Sequence, residues 1–430
     1  MKKYVKSTCF AYLLFNTILL FVATSVFAHQ KDITIVQKDT TGIIVLLDTP
    51  DSTLMSKDTK EIEDLHPQDS PKERGFLFIT ADGKAQLRLR GSIRLNGSYD
   101  LNGLQSNDLF STYEIPVGEA NTTEPRFCMS ANQTRLGIEA KRETPMGDVF
   151  IRIESDFLDT PNRIRLRHAC GMIDDFLIGQ TWSTFGDLSS LPWTVDLDGP
   201  NNAVSERTIQ IRYRKDVSKD FRWSVAVEAP SPEITSPDTL LVKPAFQSFP
   251  DIIGRIRRDD NWGHFQLAGV VRSITIRNIV EELQYLTGFG VLLSGNMKLV
   301  AQDEIYFQIV YGKAIARFIR SLSGGGLDVV YNPGEQKFET LGVMGGFLSY
   351  SHNWQENLFS YLTVGLTNVV NKNFQPPEAF SSSLYVSANF FWEPTEGTQV
   401  GLEYSFGRRI NKNDDKGNAK RMSFIVYYDF

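Results

Sequence analysis

Along most of this chain apolar and polar residues alternate one for one. In "AQLRLRGSIRLN" the odd positions Ala85, Leu87, Leu89, Ile93 and Leu95 are apolar or small, and the even positions carry Gln86, Arg88, Arg90, Ser92 and Arg94. A period of two is the pattern of a β-strand with two unlike faces. The same split recurs in "TRLGIEA", "DVFIRIES", "TIQIRYR", "FRWSVAVE" and "IIGRIRR". Later segments such as "EIYFQIVYGK", "LFSYLTVGLTNVV", "SLYVSANFFWE", "QVGLEYSF" and "RMSFIVYYDF" are more aromatic and less charged. From Gly75 onward such segments are separated by clusters of Gly, Asn, Asp and Pro, and about sixteen of them can be counted.

A strand of this kind fits two architectures. In a soluble sandwich the cationic face points outward, because arginine packed between sheets without a partner is very costly. In a membrane barrel the cationic face points inward, to water. The aromatics decide for the barrel: Tyr, Phe and Trp gather near segment ends, as in the interfacial girdles of outer-membrane barrels. The segment "FIVYYDF" puts Phe424, Val426, Tyr428 and Phe430 on one face and resembles a barrel-closing strand. The connections alternate in length too, from the tight "KRETPMGD" to the long "NGLQSNDLFSTYEIPVGEANTTEPRFCMS". The expected fold is an all-β transmembrane antiparallel barrel of about 16 strands, with an aqueous channel and an inward-folded constriction loop.

The first residues, "MKKYVKSTCFAYLLFNTILLFVATSVFA", read as a signal peptide over residues 1–28: lysines, an apolar stretch, then small residues Val26 and Ala28. A retained membrane anchor is the alternative. After residue 28 no run of about 18 apolar residues occurs, so no transmembrane helix is on offer. The formal charge is −6, and loss of Lys2, Lys3 and Lys6 with the leader makes it about −9. An acidic chain of this kind argues against general nucleic-acid binding. Cys9 falls in the leader, leaving Cys128 and Cys170, which either form a disulfide or remain two buried thiols. Residues 29–74, with charge clusters and no heptads, read as a flexible N-terminal periplasmic extension; a short strand at "GIIVLL" is the alternative. The barrel is expected over residues 75–430.

Carried along the strands, the alternation turns one cationic set to the lumen: Arg88, Arg90, Arg94, Arg135, Arg152, Arg163, Arg165, Arg167, Arg212, Arg214, Arg222, Arg255 and Arg257. The acids on the same faces are fewer, chiefly Glu139, Asp148, Glu154, Glu228 and Asp251. Guanidinium stays charged at any physiological pH, and its planar fork of donors fits a carboxylate. Such a wall either draws anions into the channel or is tied to acids of the protein. After "RIRLRHACGMIDDFLI" comes the aromatic stretch Gly179, Gln180, Thr181, Trp182, Ser183, Thr184, Phe185, Gly186 and Asp187, continuing to Trp193. We read it as the constriction loop, with Gly179 and Gly186 at bends and Trp182, Phe185 and Trp193 packed on the wall; an ordinary external loop is the alternative.

Here a resemblance enters. "ETPMGDVFIRIESDFLD", "RIRLRHACGMIDDFLIGQTWSTFGD" and "VDLDGPNNAVSERTIQIRYR" resemble, in order and spacing, the DcaP-like family of trimeric bacterial outer-membrane porins. The resemblance covers residues 75 to about 220 specifically and the rest as barrel strands. It implies a sixteen-stranded barrel, a homotrimer among outer-membrane lipids, and diffusion of small anionic solutes such as dicarboxylates. By position the family's "RLRHA" strand falls on Arg165 to Ala169 and its loop on Gly179 to Asp187. Family members often carry a coiled coil before the barrel, which residues 29–74 lack.

Other functions find less in the sequence. The histidines are His29 and His66 in the extension, His168 beside the arginines, and His264 and His352 alone on strands; they form no local catalytic or metal-binding set. We therefore expect no enzyme, no cofactor and no metal. A non-channel barrel acting as a surface binding or adhesion protein is the remaining alternative.

Overall fold

Each alternating segment forms a strand, and the strands close on themselves. The computed structural model describes residues 74–430 except 81, 105–108, 119–123, 160–162, 236–245, 278–281 and 300–301, with the backbone of two short strands, Gln37–Lys38 and Ile43–Leu47. The expected signal peptide over 1–28 and most of the expected extension, including His29 and His66, lie outside the described residues.

The barrel begins with β1 (Ala85–Asn102), the broken β2 (Arg126–Ser130 and Arg135–Thr144), β3 (Gly147–Asp159), β4 (Arg163–Ile173) and β5 (Phe176–Trp182). It continues with β6 (Arg207–Asp216), β7 (Phe221–Glu228), β8 (Asp251–Asp260), β9 (Gly263–Arg277), β10 (Leu283–Lys298) and β11 (Asp303–Lys313). The last five are β12 (Gly342–Gln355), β13 (Leu358–Val370), β14 (Phe380–Thr395), β15 (Thr398–Asn411) and β16 (Lys416–Asp429). Every neighbour pair is antiparallel, and β16 pairs with β1 (Ser423 opposite Ser98, Tyr428 opposite Ile93), which closes a sixteen-stranded barrel. Closure leaves no open sheet edge in the wall, the condition for backbone to cross hydrocarbon.

Burial is inverted relative to a soluble protein. On β1, Ile93 is 61% exposed while its neighbour Arg94 is 4% exposed. The apolar face is the lipid-facing exterior, and the polar face is enclosed in the lumen. Short turns such as 145–146 and 174–175 sit at one end and long connections at the other. By the usual orientation the short turns are periplasmic. On the periplasmic stretch of β1, where β16 has ended, an extra strand Phe76–Thr80 pairs with Gln86 to Leu89. Ile43–Leu47 pairs with that strand in turn, so the "GIIVLL" run takes a strand conformation.

The lumen has two unlike halves. On the β8 to β13 side, Ile253, Val270, Leu292, Val310 and Val343 line an apolar surface, on which Phe185 and Val204 of one loop and Phe318 and Ile319 of another are buried. This apolar inner wall explains why the later strands carry so few inward charges: loops, not water, cover them.

Candidate functional site

The arginine ladder occupies the opposite half. Strict alternation would turn 163, 165, 167, 169 and 171 of β4 inward together. Instead Glu154 pairs with His168 and Ser155 with Leu166, so β4 bulges at Arg167. A bulge inserts one residue and resets which side chains face in. Arg167 and His168 are therefore both buried, and inward positions continue as Cys170 and Met172. Arg163 lies at the strand start and is exposed. His168 Nδ1 lies 3.0 Å from Thr181 Oγ1, and its ring meets Trp182 edge to face. Cys128 stands on β2, and Cys170 deep on β4; the two are not bonded to each other, so the disulfide is not formed.

The remaining ladder arginines share a small number of acids. Arg165 grips Asp156 with two bonds, Nε to Oδ1 at 2.9 Å and Nη2 to Oδ2 at 2.7 Å. Arg167 donates to Glu154 at 2.8 Å and to Asp156 at 3.1 Å. Glu154 also accepts from Arg152 at 2.8 Å and from Arg90 at 3.1 Å, and Arg90 reaches Glu139 at 3.1 Å. Arg88, Arg94 and Arg135 are buried on the same wall, Arg94 stacked over the Tyr427 ring at 4.7 Å. Among the described residues, seven arginines (88, 90, 94, 135, 152, 165 and 167) thus share this wall with three carboxylates (139, 154 and 156), an excess of four positive charges. Asp156 escapes the sequence-based acid set although it stands two residues after Glu154, the spacing that keeps both on one face.

The other arginines of the set have different work. Arg212 donates to the Trp182 carbonyl at 2.7 Å, and Arg257 reaches Asp187 at 3.2 Å and Ser189 at 2.7 Å. Arg257 braces a loop, and Arg212 holds the end of β5 from which that loop leaves. Arg214 pairs with Asp216 at 3.4 Å, Arg222 with Asp259 at 2.8 Å, and Arg255 reaches Ser224 at 3.4 Å.

That loop, L3 (183–206), crosses the lumen. Its boundary corrects the expected one: Gly179 to Trp182 still belong to β5, because Trp182 pairs with Arg207 of β6. Only Ser183 to Asp187 open the loop. Gly186 does not have a positive φ; a Cβ there would come within 2.9 Å of the Val204 carbonyl, so it permits close approach of the loop to itself. At the loop's start Glu228 accepts from Ser183 Oγ and the Thr184 N–H, both at 2.7 Å. Asp187, 1% exposed, takes His264 Nε2 at 2.8 Å, Ser294 Oγ at 2.8 Å and Arg257. Burial alone raises such a carboxyl, but His264 and Arg257 outweigh it and hold Asp187 well below the usual carboxylate range. On the far wall the Val195 and Asp196 N–H groups donate to Glu403 of β15 at 3.0 and 3.3 Å, and Trp193 packs edge to face on Phe359 and Phe391.

Two further loops join L3, and the sequence reading passed over both. Asn201, fully buried, accepts from the Thr112 N–H at 2.6 Å and donates to the Phe110 carbonyl at 2.7 Å, both in L1 (103–125). Its own carbonyl takes the Ser321 N–H of L6 (314–341) at 2.9 Å, and the Arg320 guanidinium of L6 donates to the carbonyls of Leu197 and Gly199. Asn202 reaches Thr367 of β13 at 2.6 Å. The "GPNNAVSE" stretch is therefore a clasp joining three loops to the wall. Apolar residues such as Phe110, Ile115, Phe318 and Leu322 inside long connections were the available signal: all are buried.

Between these loops and the arginine wall lies a cavity of about 490 Å³, bordered by Arg135, Arg165 and Arg167 on one side and by Tyr113, Asp198 and Arg320 on the other. The loops and the arginine wall thus border one charged cavity inside the barrel.

Known proteins agree with this architecture. The crystal structure of the outer membrane channel DcaP of Acinetobacter baumannii is similar with a TM-score of 0.69 at 19% identity, over 81% of this chain and 98% of that one. A loop-deletion variant of OmpT, an outer membrane protein of Vibrio cholerae, is similar with a TM-score of 0.51 at 9% identity, over 81% and 100%. At these identities the likeness concerns the fold. No curated protein matches the sequence. The family model of the DcaP outer membrane protein matches residues 72–430, and the chain therefore belongs to that family, as a channel of the bacterial outer membrane.

Proposed function

We propose that this channel conducts small anionic solutes, dicarboxylates in particular, by passive diffusion past the arginine wall. The observation that carries this reading is the surplus of arginine over carboxylate around Glu154 and Asp156. Pairing does not cancel the surplus. Among the described residues, three guanidinium groups share Glu154 and two share Asp156, so the cluster they form stays positive and attracts anions through the narrow lumen. A fixed positive wall also meets dicarboxylates with donor forks of matching geometry. Arg165, whose side chain is 35% exposed, is the member of the cluster best placed to meet a passing solute.

A homotrimer in outer-membrane lipid belongs to the same proposal and rests on the family resemblance. Swelling of liposomes containing the purified channel tests the solute class. Succinate is expected to enter several-fold faster than an uncharged solute of equal size, and equal rates would remove the dicarboxylate preference.

A further inference from the structure

The cavity at the constriction has two banks. The wall bank carries Arg135, Arg165, Arg167 and Arg207, and the carboxylates Glu154 and Asp156 that pair with two of them do not line the space. The loop bank carries Glu114 of L1 with Asp198 and Glu206 of L3. None of these three carboxylates makes an ion pair or a hydrogen bond to another side chain among the described residues, and Glu206 accepts from the Arg207 backbone N–H. The cation of the loop bank, Arg320, donates to Ser205 Oγ at 2.7 Å and to the Leu197 and Gly199 carbonyls at 2.8 and 2.9 Å, an arrangement that braces L3. One side of the passage thus offers guanidinium groups, and the other offers carboxylates without an ion-pair partner.

Building on the channel reading above, we propose that the cavity binds and passes dipolar solutes bearing a carboxylate at one end and an ammonium group at the other. The carboxylate lies toward Arg165 and Arg167, and the ammonium group lies toward Glu114, Asp198 and Glu206. A dianion gains from the wall bank and is opposed by the loop bank, and a neutral solute gains from neither. A zwitterion in the right orientation gains from both, at no cost in net charge. A volume of about 490 Å³ lies in the range of small-molecule sites.

The loop bank is also sensitive to acid. Burial pushes the Asp198 carboxyl up to about 7; Arg320 and Arg165 pull it down, and Asp196 and Glu114 push it further up. Burial likewise raises Glu206, against Arg317, Arg207 and Arg320. Asp198 is neutral below about 7, so acidification through neutrality removes its charge from the loop bank and leaves the wall bank cationic.

The test uses two isomers of zero net charge, zwitterionic β-alanine and neutral lactamide, in swelling assays on liposomes holding the full-length channel. At about pH 8, β-alanine is expected to enter at least about threefold faster than lactamide. The triple variant Glu114→Gln, Asp198→Asn, Glu206→Gln is expected to bring the ratio to about one while the channel keeps its anion preference. A ratio of one in the unaltered channel, or an unchanged ratio in the variant, overturns the proposal. Should the variant fail to insert, the unaltered channel at about pH 5.5 gives the same information: the ratio is expected to fall, and an unchanged ratio overturns the proposal. Because both solutes are net neutral, failure here is distinct from failure of the anion reading, which shows in reversal potentials.

Discussion

Replacing Asp187 with alanine is expected to widen the channel. Its carboxylate is the acceptor at which His264, Ser294 and Arg257, from β9, β10 and β8, converge on the inner end of L3. Removing it leaves His264 and Ser294 facing a void, while Arg257 retains Asp259 at 2.7 Å. Breaking a buried ion pair from one side typically costs about 3–5 kcal/mol. That is enough to release a loop whose opening free energy lies below that of the whole barrel. Single-channel conductance should rise about twofold, with rapid flicker from a mobile L3, and the barrel itself should stay folded. Asp187→Asn keeps shape and one acceptor, so its effect should be smaller. Conductance equal to that of the unaltered channel would mean that the other ties of L3, among them Glu228, Glu403 and the Gln308 bond to the Asp187 carbonyl at 2.9 Å, hold it without the Asp187 carboxylate.

The second large effect is on selectivity. Arg165→Ser together with Arg167→Ser removes two positive charges from the wall and strips Asp156 of both its arginine partners, leaving it the Leu158 N–H at 3.3 Å. Glu154 keeps Arg90 and Arg152, so the damage is concentrated at Asp156, whose negative charge is left without an arginine. The ratio of anion to cation permeability should fall by about fivefold or more. The pair Arg165→Ser with Asp156→Asn removes one charge of each sign. It should leave that ratio nearly unchanged if the wall acts through its summed charge. Loss of selectivity in this neutral pair would assign the effect to contact between the Arg165 guanidinium and the solute.

The strands and their two faces were legible because alternation is a local property: Arg88, Arg90 and Arg94 enter the lumen and Leu87, Leu89 and Ile93 meet lipid, as the segment reads. What lay beyond local pattern is instructive. The bulge at Arg167 depends on the register of β3 against β4, so the inward turn of His168 has no signature in "RIRLRHAC". Ties such as Arg257 to Asp187 join residues 70 apart in the chain, and strand parity places each in the lumen without saying that they meet. Gly179 to Trp182 read as loop by composition, yet they remain in β5 because β6 starts opposite Trp182. The folding of L1 and L6 into the lumen was partly visible, since Phe110, Ile115, Phe318 and Ile319 are too apolar for a solvated loop.

The central claim is that the summed charge of the arginine wall makes this channel prefer anions. The most direct measurement is the reversal potential of the purified channel in a planar bilayer under a potassium chloride gradient. The account predicts the sign set by chloride permeating faster than potassium; a potential near zero, or one of the opposite sign, would contradict it.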